Sequence, residues 1–127
     1  MTTVVLDTNA VMMPVECDVR VFDDLDRLLG SYECVAPRAV REELVDLAEG
    51  SGREATAASV GLDLLAEHCD LRETELTYAD DAVVELTARS EVTHAVTNDG
   101  PLQQRLLDAG VLVISLRGQN KLAITRP

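Results

Sequence analysis

Two short runs, TVVL ahead of Asp7 and VLVISL near the end of the chain, are rich in β-branched residues and apolar at consecutive positions. A strand of that kind has no polar face to offer water, so it belongs in a parallel sheet covered by helices on both sides. Between them the chain alternates short apolar runs with longer helical patterns. Strands are expected at Thr3 to Leu6, Glu33 to Ala36, Asp70 to Glu73, Thr93 to Thr97 and Val111 to Leu116. VFDDLDRLLG places Val21, Phe22, Leu25, Leu28 and Leu29 on one stripe and stops at Gly30, a C′ position. PRAVREELVDLAEG has Pro37 at a first-turn position and ends at Gly50, with Val40, Leu44 and Leu47 in register. ATAASVGLDLLAEH, ADDAVVELTAR and DGPLQQRLLDAG supply three further helices, and the small residues Ala55, Ala57, Ala58 and Gly61 point to close helix packing. EGSGRE reads as a loop, too short to link domains. The whole chain, 1–127, therefore reads as one α/β domain with a central parallel sheet of about five strands.

A chain of 127 residues can bury a real core. With only three aromatics that core must be aliphatic, and no stacking platform for bases is available. The 23 acidic residues outweigh 11 basic ones, of which only Lys121 is a lysine. Taken alone, that balance argues against a nucleic-acid partner. Arg kept, Lys nearly absent and acids abundant is also the composition of a salt-accumulating cytoplasm, where in molar salt the Debye length is about 3 Å and net charge says little about partners. Cys17, Cys34 and Cys69 form no ligand pattern and read as reduced, small buried thiols of an intracellular protein. No apolar stretch reaches membrane-spanning length, so the expected setting is soluble and cytoplasmic, with no membrane partner.

In a parallel sheet, sites form outside the carboxyl ends of the strands, near the point where strand order reverses. Asp7 ends the first strand run and Asp99 follows another, in LDTN and VTND, each a turn into helix. Glu43 lies in the helix after the second strand, and Asp80 and Asp81 open the helix ADDAVVEL. Helices after parallel strands begin at that same edge, so these acids can converge. Clustered carboxylates repel one another unless a cation neutralises them, and a set without His or Cys suits a hard ion, Mg²⁺ or Mn²⁺. Each acid also has an ordinary reading: Asp7 and Asp99 as helix caps, Glu43 as a solvated residue, Asp80 and Asp81 as partners of the helix dipole. His68 and His94 have no acid-base partner by spacing and read as structural.

The blocks VVLDTNAVMMP, VAPRAVREEL, YADDAVVELTA and AVTNDGPLQQRLLDAGVLVISLR, in this order over nearly the whole chain, resemble a PIN domain. The likeness is to short single-domain archaeal-type members related to ribosomal-RNA processing nucleases. It implies a three-layer α/β/α fold and a metal-dependent ribonuclease that leaves a 5′-phosphate and a 3′-hydroxyl. It places the four acids on Asp7, Glu43, Asp81 and Asp99, with one or two Mg²⁺ or Mn²⁺ as cofactor, and support from Thr8, Asn9 and Thr97. Asp80 and Glu42 are neighbours that compete for the assignments. The plausible phosphate contacts near the relevant loops and ends are Arg38, Arg41, Arg53, Arg105, Arg117 and Lys121, with Arg38, Arg41, Arg105 and Arg117 the expected RNA-binding set. RNA as substrate, a homodimer, and an antitoxin or processing complex as partner are all implied by the resemblance. A toxin role and a weakly catalytic binding scaffold stay open beside processing or quality control. A phosphatase with an aspartyl nucleophile fits less well, because the second Asp it needs two residues after Asp7 is Asn9.

Overall fold

The computed structural model describes residues 1–127. Six strands, β1 (Thr2–Leu6), β2 (Tyr32–Pro37), β3 (Asp70–Arg72), β4 (Val92–Val96), β5 (Leu112–Arg117) and β6 (Lys121–Thr125), form one sheet in the order β3-β2-β1-β4-β5-β6. The helices are α1 (Thr8–Glu16), α2 (Val21–Leu29), α3 (Arg38–Ala48), α4 (Gly52–His68), α5 (Ala79–Thr87) and α6 (Gly100–Asp108). This is the three-layer α/β/α architecture that the alternating pattern predicts. The five expected strands are present and mutually parallel. The chain builds outward from β1 through β2 to β3, then returns to lay β4 against the other side of β1. The reversal point thus lies between the neighbours β1 and β4, the place beyond whose strand ends sheets of this kind form their sites.

The structure adds to this pattern and departs from it in several places. The sheet has a sixth strand: β6 pairs antiparallel with β5, from Val113↔Thr125 to Arg117↔Lys121, and makes the sheet mixed. It is short and only Leu122 is fully buried, so it carries little of the apolar signal that marks β1 and β5. The loop EGSGRE is shorter than its composition suggests, because α4 already begins at Gly52. Pro37 ends β2 and caps α3 rather than sitting in the helix's first turn, and Gly30 is the C-cap of α2 at φ 69°, one position earlier than expected. Cys34 and Cys69 are not free thiols but are joined in a disulfide, leaving Cys17 free. The cause is register: Val35 lies opposite Asp70 on parallel β2 and β3, so the preceding residues meet side by side, with Cα atoms 4.6 Å apart.

A cluster of 31 buried apolar residues forms the core, with Phe22 its only aromatic member. Its centre is β1, where Val4, Val5 and Leu6 are wholly inaccessible. α1 packs along α4 and α4 along α3, while α5 lies across β2, β1 and β4 with α6 beside it. The α1–α4 contact is close because of Gly61: a Cβ there would stand 3.1 Å from the Val11 carbonyl oxygen and 3.2 Å from Val11 Cγ2. His94 lies within β4 and His68 ends α4, stacked on Phe22 at 3.9 Å between ring centroids, both in structural settings. No helix is long and apolar enough to cross a membrane.

Candidate acidic site at the sheet edge

Asp7 is the first residue past β1 and still belongs to the sheet, its N–H donating to the Val96 carbonyl at 3.3 Å. Its side chain caps α1, accepting from the Ala10 N–H at 2.8 Å. A cap is ordinary for Asp. Its surroundings are not, because only 3 % of the residue is exposed. Burial pushes its carboxyl up from 3.8 to about 7; hydrogen bonding from the Thr97 side chain and the Ala10 N–H holds it down, while the charges of Asp80 and Asp99 push it further up. The opening alternatives, helix cap or edge carboxylate, are therefore both true of Asp7.

Asp99 arrives from the other side of the reversal point. It caps α6 by accepting from the Leu102 N–H at 2.9 Å, and its own N–H donates to Thr97 Oγ1 at 3.0 Å. The two strand-end motifs are tied together by Asn9, whose Oδ1 accepts from the Asn98 N–H at 3.0 Å. Asn98, which sequence reasoning passed over, is the hub of this region. Its Oδ1 accepts from the Leu116 N–H at 2.8 Å and its Nδ2 contacts Met13 Sδ at 3.0 Å, joining α1, the β4–α6 turn and β5. The likeness of LDTN to VTND was the available signal. Gln103 Nε2 also donates to the Thr97 carbonyl at 2.9 Å, fixing the first turn of α6 to the same turn.

α5 delivers Asp80 and Asp81, and the structure separates them. Asp80 is partly buried and its pKa is raised, by burial first, then by the charges of Asp99 and Glu43, with Arg105 opposing and Asp81 adding. Asp81 instead pairs with Arg105 across the α5–α6 contact, Oδ1 to a guanidinium nitrogen at 3.0 Å. Glu43 is exposed on α3 and feels the group through Asp80. The Asp7 carboxyl thus feels the charges of Asp80 and Asp99, Asp80 feels those of Asp99, Glu43 and Asp81, and Asp81 is paired with Arg105. Of the other basic candidates, Arg38 pairs with Glu73, Arg41 is exposed on the outer face of α3 beside Leu62 and Leu65, and Arg117 donates to Thr125 Oγ1 at 3.3 Å.

The donor set is all carboxylate, with the hydroxyl of Thr8 buried beside Asp7 and bonded to nothing. A hard divalent ion fits such donors, and a buried carboxylate facing two like charges is the setting in which a dication offsets repulsion. No three acidic, His or Cys side chains stand close enough together to make a ready ligand cage. The best-formed cavities lie away from these acids; the one of about 280 Å³ under Phe22 and His68 sits beyond the C-terminal end of α1.

A largely parallel sheet between two layers of helices, with Asp7 and Asp99 at the ends of neighbouring central strands, describes a class of protein, and the comparisons assign the family. The PIN-like domain family matches residues 4–119, and the chain belongs to it. Among solved structures, the PIN domain endonuclease Utp24 is similar in fold, with a TM-score of 0.79, 23 % identity, and 98 % of this chain and 92 % of that chain covered. A domain of a functionally unknown protein from Methanocaldococcus jannaschii DSM 2661 aligns at 0.68, with 16 % identity and 95 % of each chain covered. VapBC2 from Rickettsia felis, bound to a DNA fragment from its promoter, aligns at 0.64, with 12 % identity over 90 % of this chain and 98 % of that one. No curated protein matches the chain in sequence.

Proposed function

We propose that this chain is a divalent-metal-dependent endoribonuclease, working in ribosomal-RNA processing or RNA quality control in the cytoplasm. Asp7, Asp80 and Asp99 would hold Mg²⁺ or Mn²⁺, with Glu43 at the rim and Thr8, Asn9 and Thr97 supporting the ligands. The observation that carries this reading is Asp7: a carboxylate 3 % exposed, at the end of the central strand, coupled to acids delivered by two other elements. A protein that gathers like charges there without a cation destabilises itself. Membership of the PIN-like domain family supports the same reading, as does the fold shared with an endonuclease. The Asp81 carboxylate is occupied by Arg105 at 3.0 Å, which supports Asp80 over Asp81 as the ligand that α5 would supply.

When bound, the metal would supply a nucleophilic water and neutralise charge on the scissile phosphate. The chain's own residues do the rest. Asp7 and Asp99 are fixed by capping α1 and α6, so their orientation is set before any ligand arrives. Asn9 and Asn98 hold those two arms in register. Asn9 is thereby occupied as an acceptor, which weighs against an aspartyl-phosphate mechanism that would need an acid at that position. A site at an open sheet edge, away from the cavities, suits a polymer better than a small phosphoester.

The test is cleavage of a structured RNA by the purified chain with Mn²⁺ or Mg²⁺, at low and molar KCl, beside Asp7→Asn and Asp80→Asn. Cleavage that needs metal and is lost in both variants supports the reading. Metal-dependent thermal stabilisation with no cleavage under any condition would replace it with an RNA- or protein-binding scaffold.

A further inference from the structure

We propose that Arg105 is the residue that receives an RNA phosphate at the acidic edge, and that Asp81 acts by orienting Arg105. This rests on the nuclease reading above and names the part of the site that meets the substrate backbone.

Successive residues on a helix point about 100° apart, so Asp80 and Asp81 cannot both face the same neighbours. Asp80 feels the charges of Asp99 and Glu43, and Asp81 takes Arg105 of α6 at 3.0 Å. The guanidinium therefore stands at the lip of the carboxylate group, near enough to Asp80 to oppose the burial of its charge. Arg38, Arg72, Arg89 and Arg117 are held by Glu73, Glu33, the Glu73 carbonyl and Thr125, and Arg41 has no such partner but lies beside Leu62 and Leu65 on the outer face of α3.

The pair is open to water, with side-chain exposures of 46 % for Arg105 and 40 % for Asp81. An ion pair so exposed adds little to folding. Its geometry does something else. Asp81 takes one edge of a planar fork that carries five N–H donors, leaving the others free for an oxyanion. A phosphate approaching a chain of net charge −12 is repelled by most of the surface, and an oriented guanidinium beside the carboxylates gives it one attractive point of entry. Asp81 is then a positioning residue, and its removal should act on RNA only through Arg105.

The experiment uses the full chain with a fluorescently labelled single-stranded RNA oligonucleotide, in 0.2 to 2 M KCl. Three readouts are taken: RNA affinity by anisotropy on an Asp7→Asn background, RNA half-saturation and maximal rate in single-turnover cleavage, and the Mn²⁺ midpoint for thermal stabilisation. Arg105→Gln is expected to weaken RNA binding about tenfold, to reduce the slope of log affinity against log salt by about 0.7, the share of one phosphate contact, and to leave the Mn²⁺ midpoint unchanged. Arg105→Lys restores part of the affinity, because charge is kept and the fork is lost. Asp81→Asn weakens binding less and adds little once Arg105 is already Gln. Asp80→Asn moves the Mn²⁺ midpoint instead. Unchanged RNA affinity in Arg105→Gln, or a Mn²⁺ midpoint in Asp81→Asn displaced as far as in Asp80→Asn, overturns the proposal while leaving the nuclease intact. A parent chain that neither binds nor cleaves RNA removes both.

Discussion

LDTN at the end of β1 and VTND at the end of β4 draw on the same residue types in a different order, and at the level of the backbone they behave alike. Each ends a parallel strand and opens a helix, and each offers an aspartate that accepts from the N–H three residues on, at 2.8 Å for Asp7 and 2.9 Å for Asp99. They differ in how far they stand from the sheet. The Asp7 N–H is still bonded to Val96, whereas the Asp99 N–H turns back to Thr97 Oγ1 and its side chain is only half-buried. Asp7 is the first residue past β1 and Asp99 the third past β4, and that difference separates a carboxyl lifted to about 7 from one at the open rim. Local motif sets the cap; depth in the sheet sets the chemistry.

The largest effect expected from that difference is in stability without metal. A carboxyl raised from 3.8 to about 7 binds its proton more tightly folded than unfolded, so stability falls as pH rises through that window and is flat above it. At about 1.36 kcal/mol per pH unit the loss amounts to roughly 4 kcal/mol by pH 8. Asp7→Asn keeps a cap and removes the charge, so in chelator its melting temperature should exceed that of the parent at pH 8 and approach it at pH 4. Equal advantages at both pH values would mean that burial does not govern Asp7. With Mn²⁺ present the order reverses in function: Asp7→Asn should lose at least about 100-fold in RNA cleavage rate, since a ligand matters at least as much as the residues behind it.

Asn9→Ala tests the link between the motifs. It strips the Asn98 N–H of its acceptor and should lower unfolding stability by about 1 to 2 kcal/mol in denaturant titration. If the two motifs act as one site, it should also slow cleavage about tenfold. The smallest effect belongs to Asp99→Ala in metal-free buffer. Loss of the α6 cap should lower stability by about 1 kcal/mol, as for an ordinary N-cap. A loss several times larger would mean that the rim carboxylate is as deeply committed to the fold as Asp7.

Much of the fold was legible in the sequence because its signals are local. Consecutive apolar positions in β1 and β5 demanded a covered parallel sheet, and 3.6-residue stripes placed the helices, since each pattern reflects the faces that one element must bury. Turn chemistry at Asp7 and Asp99 likewise fixed two carboxylates at one edge. Tertiary structure decided what depends on neighbours distant in the chain. Cys34 and Cys69 are 35 residues apart and meet only because β2 and β3 pair in that register. β6 is specified mainly by its antiparallel pairing with β5 rather than by an apolar pattern of its own. Asp80 and Asp81 are indistinguishable in ADDA, and only the packing of α5 on α6 pairs Asp81 with Arg105 while Asp80 feels the charge of Asp99. Sequence patterning determined the elements and the strand ends that carry Asp7 and Asp99; only packing, which sets distance and burial among side chains from separate elements, decided how deeply each lies and that Asp81 meets Arg105.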